Sequence, residues 1–182
     1  VIFFREQNIT PEEQLELASL FGPLEKHAYV KGLDDYPEIV RIIKKPNEKN
    51  QWGENWHSDV SYNIKPTKAV ILRSIKIPPV GGDTMFADMY ACYDALAPSE
   101  RKNVRDMVAV HDFVHSFGDQ IPEARRAEIR EKYPAVEHPV VGTHPNSSRR
   151  YLFVNRVFVT HIVGLSRKKS LPIIDRLARQ AE

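Results

Sequence analysis

The apolar positions near the start of the chain follow the spacing of a helix. Leu, Ala and Phe side chains form a stripe among polar residues over positions 15–21. Just before the stripe, Thr10, Pro11 and Glu13 supply an N-cap, a first helical residue that needs no N–H partner, and the second half of a capping box. Gly22 and the proline after it end the pattern. These residues predict one amphipathic helix close to the N-terminus.

Elsewhere the apolar residues come in short runs bounded by polar or turn-forming residues, a pattern typical of β-strands. The runs predicted to be strands are residues 1–4, 39–43, 69–75, 84–87, 140–144 and 150–154. The polar stretch between the second and third runs is too long for a tight turn, and long loops in compact domains tend to be functional.

Further helices are predicted between and after these runs. They cover residues 88–96, 99–107 and 122–132, with Asp88 and Ser99 as N-caps. A last helix is predicted to begin after Ser170, because Pro172 is tolerated only in a first helical turn. Strands that lie before, between and after helices, without regular βαβ alternation, favour an antiparallel β core with helices packed outside it.

Composition places the chain among globular proteins. It has 182 residues, of which 42% are hydrophobic and 27% charged, enough for one domain with its own core and too few to favour two. We therefore expect residues 1–182 to form a single domain. The net charge of +2 gives no global attraction to nucleic acid or to an anionic membrane. The short basic runs at residues 125–126 and 167–169 are expected on solvated faces.

Cys92 is the only cysteine, so the chain has no internal disulfide and no cysteine-based zinc site. We expect Cys92 to be a small core residue in a reducing compartment. No apolar run reaches the length of a membrane span, and the N-terminus lacks the pattern of a signal peptide, so a cytoplasmic location is predicted. The apolar opening at residues 1–4, without an initiator Met, suggests that a preceding segment has been lost.

The sharpest polar pattern is the pair His57 and Asp59. On an extended segment, residues two apart point to the same side, so an imidazole and a carboxylate can reach one metal ion. They would be two of the three ligands in the facial triad that binds Fe(II) and leaves coordination positions open. A second His must then come from elsewhere in the chain. On a surface loop the same triplet is merely polar, and alone it leaves both interpretations open.

Several segments match one family pattern in order along the chain. They are residues 1–7 (the VVFFRDQ opening strand), 10–22 (the helix after it), 55–61 (the iron-binding segment), 78–84 (the P-x-x-G-G-D-T turn), 90–96 (the A-Y-x-x-L helix) and 138–145 with 152–162 (the H-P-V-V-x-T-H-P and L-F-V-N stretch). Together they resemble the taurine dioxygenase (TauD/TfdA-like) family of Fe(II)/2-oxoglutarate-dependent dioxygenases. The resemblance implies an α+β fold with a double-stranded β-helix (jelly-roll) core and flanking helices, truncated at both ends.

The resemblance assigns His57 and Asp59 as iron ligands. It assigns Thr84, on the strand after the Gly-Gly turn, to a carboxylate of the cosubstrate 2-oxoglutarate, with an ordinary strand residue as the alternative. The pair Gly81-Gly82 needs no ligand to explain it, because a tight turn favours residues without a Cβ.

The substrate pocket of the family is matched by His27, Ser116 and Phe117, each of which can also be a plain loop or core residue. Some members have Asn at the position of Gly53, a difference that weakens the case for taurine itself as substrate.

The third iron ligand is not assigned within the chain. His138, His144 and His161 are candidates by residue type, but in the family pattern they belong to structural strands. The resemblance places the distal His, and the Arg that binds 2-oxoglutarate, beyond Glu182. We therefore expect the chain to lack its C-terminal strands and to be doubtful as an enzyme by itself, because the cosubstrate would lose its bidentate Arg partner.

The resemblance implies hydroxylation of a small anionic compound, such as a sulfonate or a sulfate ester, with Fe(II) and 2-oxoglutarate as cofactors and O2 consumed. The expected partners are small molecules, without nucleic acid or membrane, and the resemblance is compatible with a homo-oligomer. An alternative is a non-catalytic β-sandwich, or a truncated pseudoenzyme, that binds a small anion or a protein. A metal-dependent isomerase or hydrolase on a similar barrel ranks last, because it needs a fuller set of His and carboxylate residues.

Overall fold

The computed structural model of the protein describes residues 1–27, 30–45 and 53–182. The chain forms two compact units. The first contains the described parts of residues 1–52 together with residues 68–85, and the second contains residues 53–67 together with residues 86–182. Among the described residues, no helix is long and apolar enough to cross a membrane.

Among the described residues of the first unit, helix α1 (Pro11–Ser19) is the one regular element. The predicted capping box is confirmed: the Thr10 N–H donates to a Glu13 carboxylate oxygen at 2.7 Å, and the Glu13 N–H donates to Thr10 Oγ1 at 3.3 Å. Pro11 takes the first helical position, where its missing N–H costs nothing. The helix ends at Ser19, three residues before Gly22, whose φ of 143° lies in the region that favours glycine.

The strands predicted at residues 1–4, 39–43, 69–75 and 84–87 are wrong, since the structure gives none of these segments a strand conformation. Their apolar side chains are largely exposed, as at Ile42 (61%) and Leu72 (65%). A strand needs a second strand to take up its N–H and C=O groups. The apolar residues in these segments favour a strand conformation, but the sequence pattern does not show whether a partner strand lies beside them.

The second unit contains five helices and five strands among its described residues. They are α2 (Met89–Asp94), α3 (Pro98–Val104), β1 (Val108–His111), α4 (Phe113–Phe117), α5 (Glu123–Lys132), β2 (Val136–Pro139), β3 (Val141–Thr143), β4 (Arg150–Leu152), β5 (Val159–Ile162) and α6 (Arg167–Ala178). The structure confirms the helix predicted at residues 122–132 and the strands predicted within residues 140–144 and 150–154. Strands β1, β2 and β5 and helix α4 were not predicted.

Strand β1 is the centre of a three-stranded antiparallel sheet in the order β2-β1-β5, and β3 pairs with β4 as a separate antiparallel pair. In the first sheet Ala109 lies opposite His138, and His111 lies opposite Val136. The register between β1 and β5 shifts at Val110 and His111, which is the signature of a β-bulge.

The core of this unit lies between the sheets and helices α2 and α6. Its buried residues are Cys92, Tyr93, Leu96, Val104, Ala109, Val140, Val141, Leu152, Val154, Val159, Ile162, Ile174 and Leu177. The prediction that Cys92 is a small core residue is confirmed, because it is 6% exposed within this cluster. Helix α2 begins as predicted, with Asp88 Oδ1 accepting from the N–H groups of Tyr90 and Ala91 at 2.9 and 3.2 Å.

Two predicted helix starts are wrong. Helix α3 begins at Pro98 rather than after a Ser99 cap, and the Glu100 carboxylate accepts from the Ala97 N–H at 3.4 Å. Helix α6 begins at Arg167 rather than after Ser170, so Pro172 lies inside it. The proline is tolerated there, although it removes one helical hydrogen bond.

The basic runs differ in their surroundings. Residues 167–169 are exposed at the start of α6, as predicted. Arg126 is not on a solvated face: its Nε donates to the carbonyls of Gly118 and Ile121 at 2.9 and 3.2 Å, and 29% of its side chain is exposed. These two carbonyls before helix α5 explain why a basic side chain turns inward at this point, although that of Gly118 also accepts from the Ile121 N–H at 3.1 Å.

Ser170 joins α6 to the sheet and is fully buried. Its Oγ accepts from the Ile162 N–H at 3.0 Å and donates to the Ser166 carbonyl at 3.0 Å. We expect Ser170→Ala to lower the free energy of unfolding by about 1–3 kcal/mol, because the Ile162 N–H would remain buried without an acceptor. Urea unfolding measures the change.

Ser99→Ala is the matched control, since Ser99 is an exposed serine in helix α3. We expect this substitution to change the free energy of unfolding by less than about 0.5 kcal/mol. Equal effects of the two substitutions would show that the Ser170 contacts do not stabilise the fold.

Candidate metal-binding site

His57 and Asp59 lie on the irregular segment 53–67, which enters the second unit ahead of its helices and strands. The two side chains converge, with His57 Nε2 3.0 Å from Asp59 Oδ1. On its other side the imidazole donates from Nδ1 to the Asn55 carbonyl at 2.7 Å. Their side chains are 29% and 52% exposed, so neither residue is buried.

The orientation of His57 suits metal coordination. With Nδ1–H held by a backbone carbonyl, the neutral imidazole carries its free lone pair on Nε2, the atom that faces the carboxylate. Without a metal the two groups share a proton instead, and the hydrogen bond to Asp59 raises the pKa of His57, while partial burial acts in the opposite direction. An imidazole and a carboxylate are two ligands of the type that bind Fe(II) in a facial triad.

The three histidines considered as a third ligand have other contacts. The Nε2–H of His138 donates to the Asn63 carbonyl at 2.9 Å. In the turn after β3, His144 Nδ1 accepts from the N–H groups of residues 146 and 147, and His161 Nδ1 lies 2.8 Å from the Thr160 hydroxyl. Within residues 1–27, 30–45 and 53–182, no group of three His, Cys, Asp or Glu side chains is placed to hold a metal ion.

The backbone turns sharply directly after Asp59. Val60 has a φ of 53°, a left-handed conformation that is unusual for a β-branched residue. The turn is closed by the Asn63 N–H, which donates to the Val60 carbonyl at 3.0 Å. Ser61 and Tyr62 are 0% and 3% exposed, so the chain passes from the solvent-accessible pair into the interior within three residues.

His111 receives the buried end of this turn. Its Nδ1 lies 3.0 Å from Ser61 Oγ, its ring stacks on Phe153 at 5.4 Å, and the His138 ring meets it edge-on at 5.1 Å. His111 is fully buried, and its Nε2 has no hydrogen-bond partner among the described residues. Burial, with a smaller contribution from His138, lowers the pKa of His111 from 6.5 to about 4, so the ring is neutral at physiological pH.

Aromatic rings connect His57 with Phe117, one of the residues predicted to line a substrate pocket. His57 meets Phe158 edge-on at 6.4 Å, and Phe158 lies 6.1 Å from Phe117. Asn155 presents Phe158, because its Oδ1 accepts from the N–H groups of Val157 and Phe158 at 3.1 and 2.8 Å. Phe158 was not predicted as a site residue, although Asn155, a typical turn residue, precedes it in the sequence.

Ser116, the other predicted pocket residue of this unit, donates to the Val157 carbonyl. It lines an open cavity of about 320 Å³ together with Asn55, His115, Arg156 and Val157. Asn55 is also the residue whose carbonyl orients His57, so this cavity borders the candidate metal ligands. The place of Asn55, His115 and Arg156 at one cavity was not predicted, because these residues are separated in sequence and carry no joint pattern.

The basic residues of this cavity are partly neutralised. Arg156 pairs with Asp175 at 2.8 Å and with Glu182 at 2.6 Å. Burial is the main cause that lowers the pKa of His115, with the charge of Arg167 adding to it.

His27 and Thr84 belong to the first unit. His27 Nδ1 accepts from the Val30 N–H at 3.0 Å, and its side chain is half-buried. Thr84 is exposed and does not lie on a strand, contrary to the sequence prediction. Its proposed role with 2-oxoglutarate remains a prediction.

The whole chain is similar to one family of known proteins. The family model described as "Taurine catabolism dioxygenase TauD, TfdA family" matches residues 1–182. The chain is 29% identical to the alpha-ketoglutarate-dependent sulfonate dioxygenase of Saccharomyces cerevisiae, covering 100% of this chain and 46% of the yeast protein. It is 31% identical to the alkylsulfatase of Acinetobacter baylyi, covering 93% of this chain and 55% of that protein.

A solved structure shows the same similarity. The crystal structure of AAD-2 in complex with Mn(II) and N-oxalylglycine superimposes with a TM-score of 0.71 at 27% sequence identity, covering 98% of this chain and 62% of that one. The chain spans about half the length of the curated relatives it matches.

Asp59→Asn tests whether the contact with His57 exists in solution. An amide cannot stabilise the imidazolium as a carboxylate does, so we expect the pKa of His57 to fall toward its ordinary value of 6.5 in the variant. An NMR titration of the imidazole resonances in metal-free buffer measures it, with Asp106→Asn, at an exposed carboxylate of the same unit, as the control. An unchanged His57 pKa in Asp59→Asn would show that the side chains are apart.

Neutral His111 makes stability depend on pH. Above its ordinary pKa of 6.5, His111 is neutral in both the folded and the unfolded chain. Below pH 6.5 His111 becomes protonated in the unfolded chain, whereas in the folded chain it stays neutral down to about pH 4. The folded state therefore loses stability as the pH falls through this window, by a total of about 3 kcal/mol.

Urea unfolding at pH 7 and pH 4.5 measures this loss. His111→Asn carries no titrating group at this position, so it should lose about 2–3 kcal/mol less than the parent between the two pH values. Contributions from His115 and from the carboxylates occur in both proteins and cancel. If the free energy of unfolding changed equally with pH in parent and variant, His111 would take up its proton in the folded state at its ordinary pKa.

Proposed function

The chain belongs to the TauD/TfdA family of taurine catabolism dioxygenases, and from that membership we propose that the protein is an Fe(II)- and 2-oxoglutarate-dependent dioxygenase. It hydroxylates a small anionic organic substrate and releases succinate and CO2. One oxygen atom of O2 enters the substrate and the other enters succinate. The observation that carries the proposal is the convergence of His57 Nε2 and Asp59 Oδ1 at 3.0 Å, with the opposite ring nitrogen held by a backbone carbonyl.

His57 and Asp59 are the proposed metal ligands. When bound together, Fe(II), 2-oxoglutarate and O2 supply the oxidising chemistry that breaks a C–H bond. The protein's contribution is to fix two donor atoms of suitable type. Asn55 sets the ring orientation and keeps the Nε2 lone pair directed at the metal position, which is the usual role of a second hydrogen-bond partner of a metal-binding His.

The residues proposed to hold the organic molecules are Thr84 for a carboxylate of 2-oxoglutarate and His27, Ser116 and Phe117 for the substrate. The exposed hydroxyl of Thr84 is free to approach a ligand, and a hydroxyl can donate to a carboxylate. Ser116 is supported by its place in the cavity beside Asn55, and Phe117 by the ring contacts through Phe158 toward His57.

We propose a sulfonate or a sulfate ester as the substrate class. The similarity to a sulfonate dioxygenase and to an alkylsulfatase supports this class. Arg156 supplies a positive charge at the cavity beside the candidate ligands, and its guanidinium favours an anionic group over a neutral one. The small net charge of +2 favours small-molecule partners over nucleic acid or anionic membranes, and the lone Cys92 supports a cytoplasmic location.

The proposed fold around these residues is a double-stranded β-helix. The antiparallel pairing of β1 with β2 and β5, and of β3 with β4, supports this architecture, as does the similarity to the AAD-2 structure. Helices α2 and α6 lie against the strands, in agreement with a core that carries its helices on the outside.

Oxygen consumption tests the proposed reaction. We expect uptake of O2 to require both Fe(II) and 2-oxoglutarate, with succinate formed in step. His57→Ala and Asp59→Ala should each reduce the rate by more than about 100-fold, because loss of a ligand exceeds the 10–100-fold cost of losing an outer partner. His144→Ala, at a turn histidine of the same unit, is the matched control and should retain the parent rate.

Coupled turnover that persists in both ligand variants would contradict the proposal. Calorimetry with Fe(II) and with 2-oxoglutarate separates it from the alternative of a non-catalytic protein. If the parent chain bound neither Fe(II) nor 2-oxoglutarate, the result would favour a pseudoenzyme that binds another small anion or a protein.

A further inference from the structure

The turn that follows Asp59 is held in a strained conformation. Val60, with a φ of 53°, carries a branched Cβ in a region that is unfavourable for such residues. A strained backbone persists only where its surroundings over-determine it, and strained residues cluster at functional sites. Val60 separates the carboxylate that meets His57 from a residue that is fully buried.

The surroundings that fix this turn come from the sheet. Ser61 Oγ lies 3.0 Å from His111 Nδ1, on β1. The Asn63 carbonyl accepts from His138 Nε2, on β2, at 2.9 Å. Both contacts join residues at least 50 positions apart in sequence, so the turn is attached to a scaffold that it does not itself form.

The direction of the His111 side chain is itself determined by the sheet. The register between β1 and β5 shifts at Val110 and His111, and bulges of this type change the direction of a side chain and occur next to functional sites. Phe153 stacks on the ring at 5.4 Å and limits its rotation. The position of the Nδ1 atom is therefore determined by contacts other than that with Ser61.

We propose that His111 and Ser61 are positioning residues, which hold Val60 in its left-handed conformation and so keep Asp59 in place to bind a metal together with His57. This inference rests on the proposed function, because it assigns the metal to that pair. Neither His111 nor Ser61 is proposed to contact the metal. Both act on Asp59 through the backbone between Ser61 and Asp59.

The contact through Nδ1 provides matched variants at one position. Asn places its amide near the position of Nδ1, whereas Gln places its amide near the position of Nε2. His111→Asn can therefore keep a hydrogen bond to Ser61, and His111→Gln loses it while it retains a polar side chain. Ser61→Ala removes the same bond from the other side by deleting a single oxygen atom.

The test is the affinity of the full chain for Co(II) alone, measured by calorimetry. We expect Ser61→Ala and His111→Gln to lose about 10-fold or more in affinity, within the range known for residues that support metal ligands. His111→Asn should lose less than either. Urea unfolding of each variant establishes that it is folded under the binding conditions, and Ser61→Ala suffices if a His111 variant does not fold.

Val60→Gly separates positioning from general stability. Glycine adopts a positive φ without a steric penalty, so the turn no longer depends on Ser61 to remain left-handed. Addition of Ser61→Ala to a Val60→Gly background should therefore reduce Co(II) affinity clearly less than Ser61→Ala does in the parent. Equal losses in the two backgrounds would overturn the proposal, as would parent-like affinity in both Ser61→Ala and His111→Gln.

A second readout distinguishes failure of this inference from failure of the proposed function. If the parent chain does not bind Co(II), the proposed metal site fails, and the ¹⁵N resonances of the His57 imidazole in metal-free protein decide the positioning. Changed His57 resonances in Ser61→Ala and His111→Gln, with smaller changes in His111→Asn, support the proposal. Parent-like resonances in all three variants overturn it.

Discussion

The geometry around His57 depends on one constraint, the left-handed backbone of Val60. A conformation of this kind costs roughly 1–3 kcal/mol. It is bounded on one side by the contact between His57 and Asp59 and on the other by the buried hydrogen bond between Ser61 and His111. The cost must be offset by contacts made after the turn, because those before it lie near the surface and are worth little in water.

Buried polar contacts can hold such a turn in place because the loss of one partner leaves the other buried without a hydrogen bond. The ring of His111 is enclosed by Phe153 and His138, and its pKa of about 4 keeps it neutral. Loss of the Ser61 partner would leave Nδ1 buried and unsatisfied, at a cost of about 1–3 kcal/mol. Apolar packing alone is not directional and would leave the turn free to shift, whereas a hydrogen bond between two specific atoms fixes its position.

The sequence was sufficient where the physics is local. The capping box of Thr10 and Glu13 and the Asp88 cap form within a single helical turn, and both were predicted. The spacing of His57 and Asp59 likewise predicted their convergence. Predictions failed where a distant partner decides the outcome. The apolar residues 39–43 and 69–75 have the composition of strands without a strand conformation, and Ser170 is a buried link to Ile162 rather than the start of α6.

This difference between local and long-range contacts also explains why the sequence indicates the proposed reaction class more clearly than the substrate. The proposed metal-ligand pair consists of two residue types at a fixed spacing, and the carbonyl that orients His57 lies two positions away at Asn55. The cavity beside it combines Asn55, Ser116 and Arg156, which come from separate parts of the chain and carry no pattern that links them. Arg156 also divides its charge between Asp175 and Glu182, so an anionic ligand there must compete with two carboxylates for it. If a substrate binds at this cavity as proposed, its selectivity would depend on how readily it replaces those solvent-exposed ion pairs, which residue identity alone does not determine.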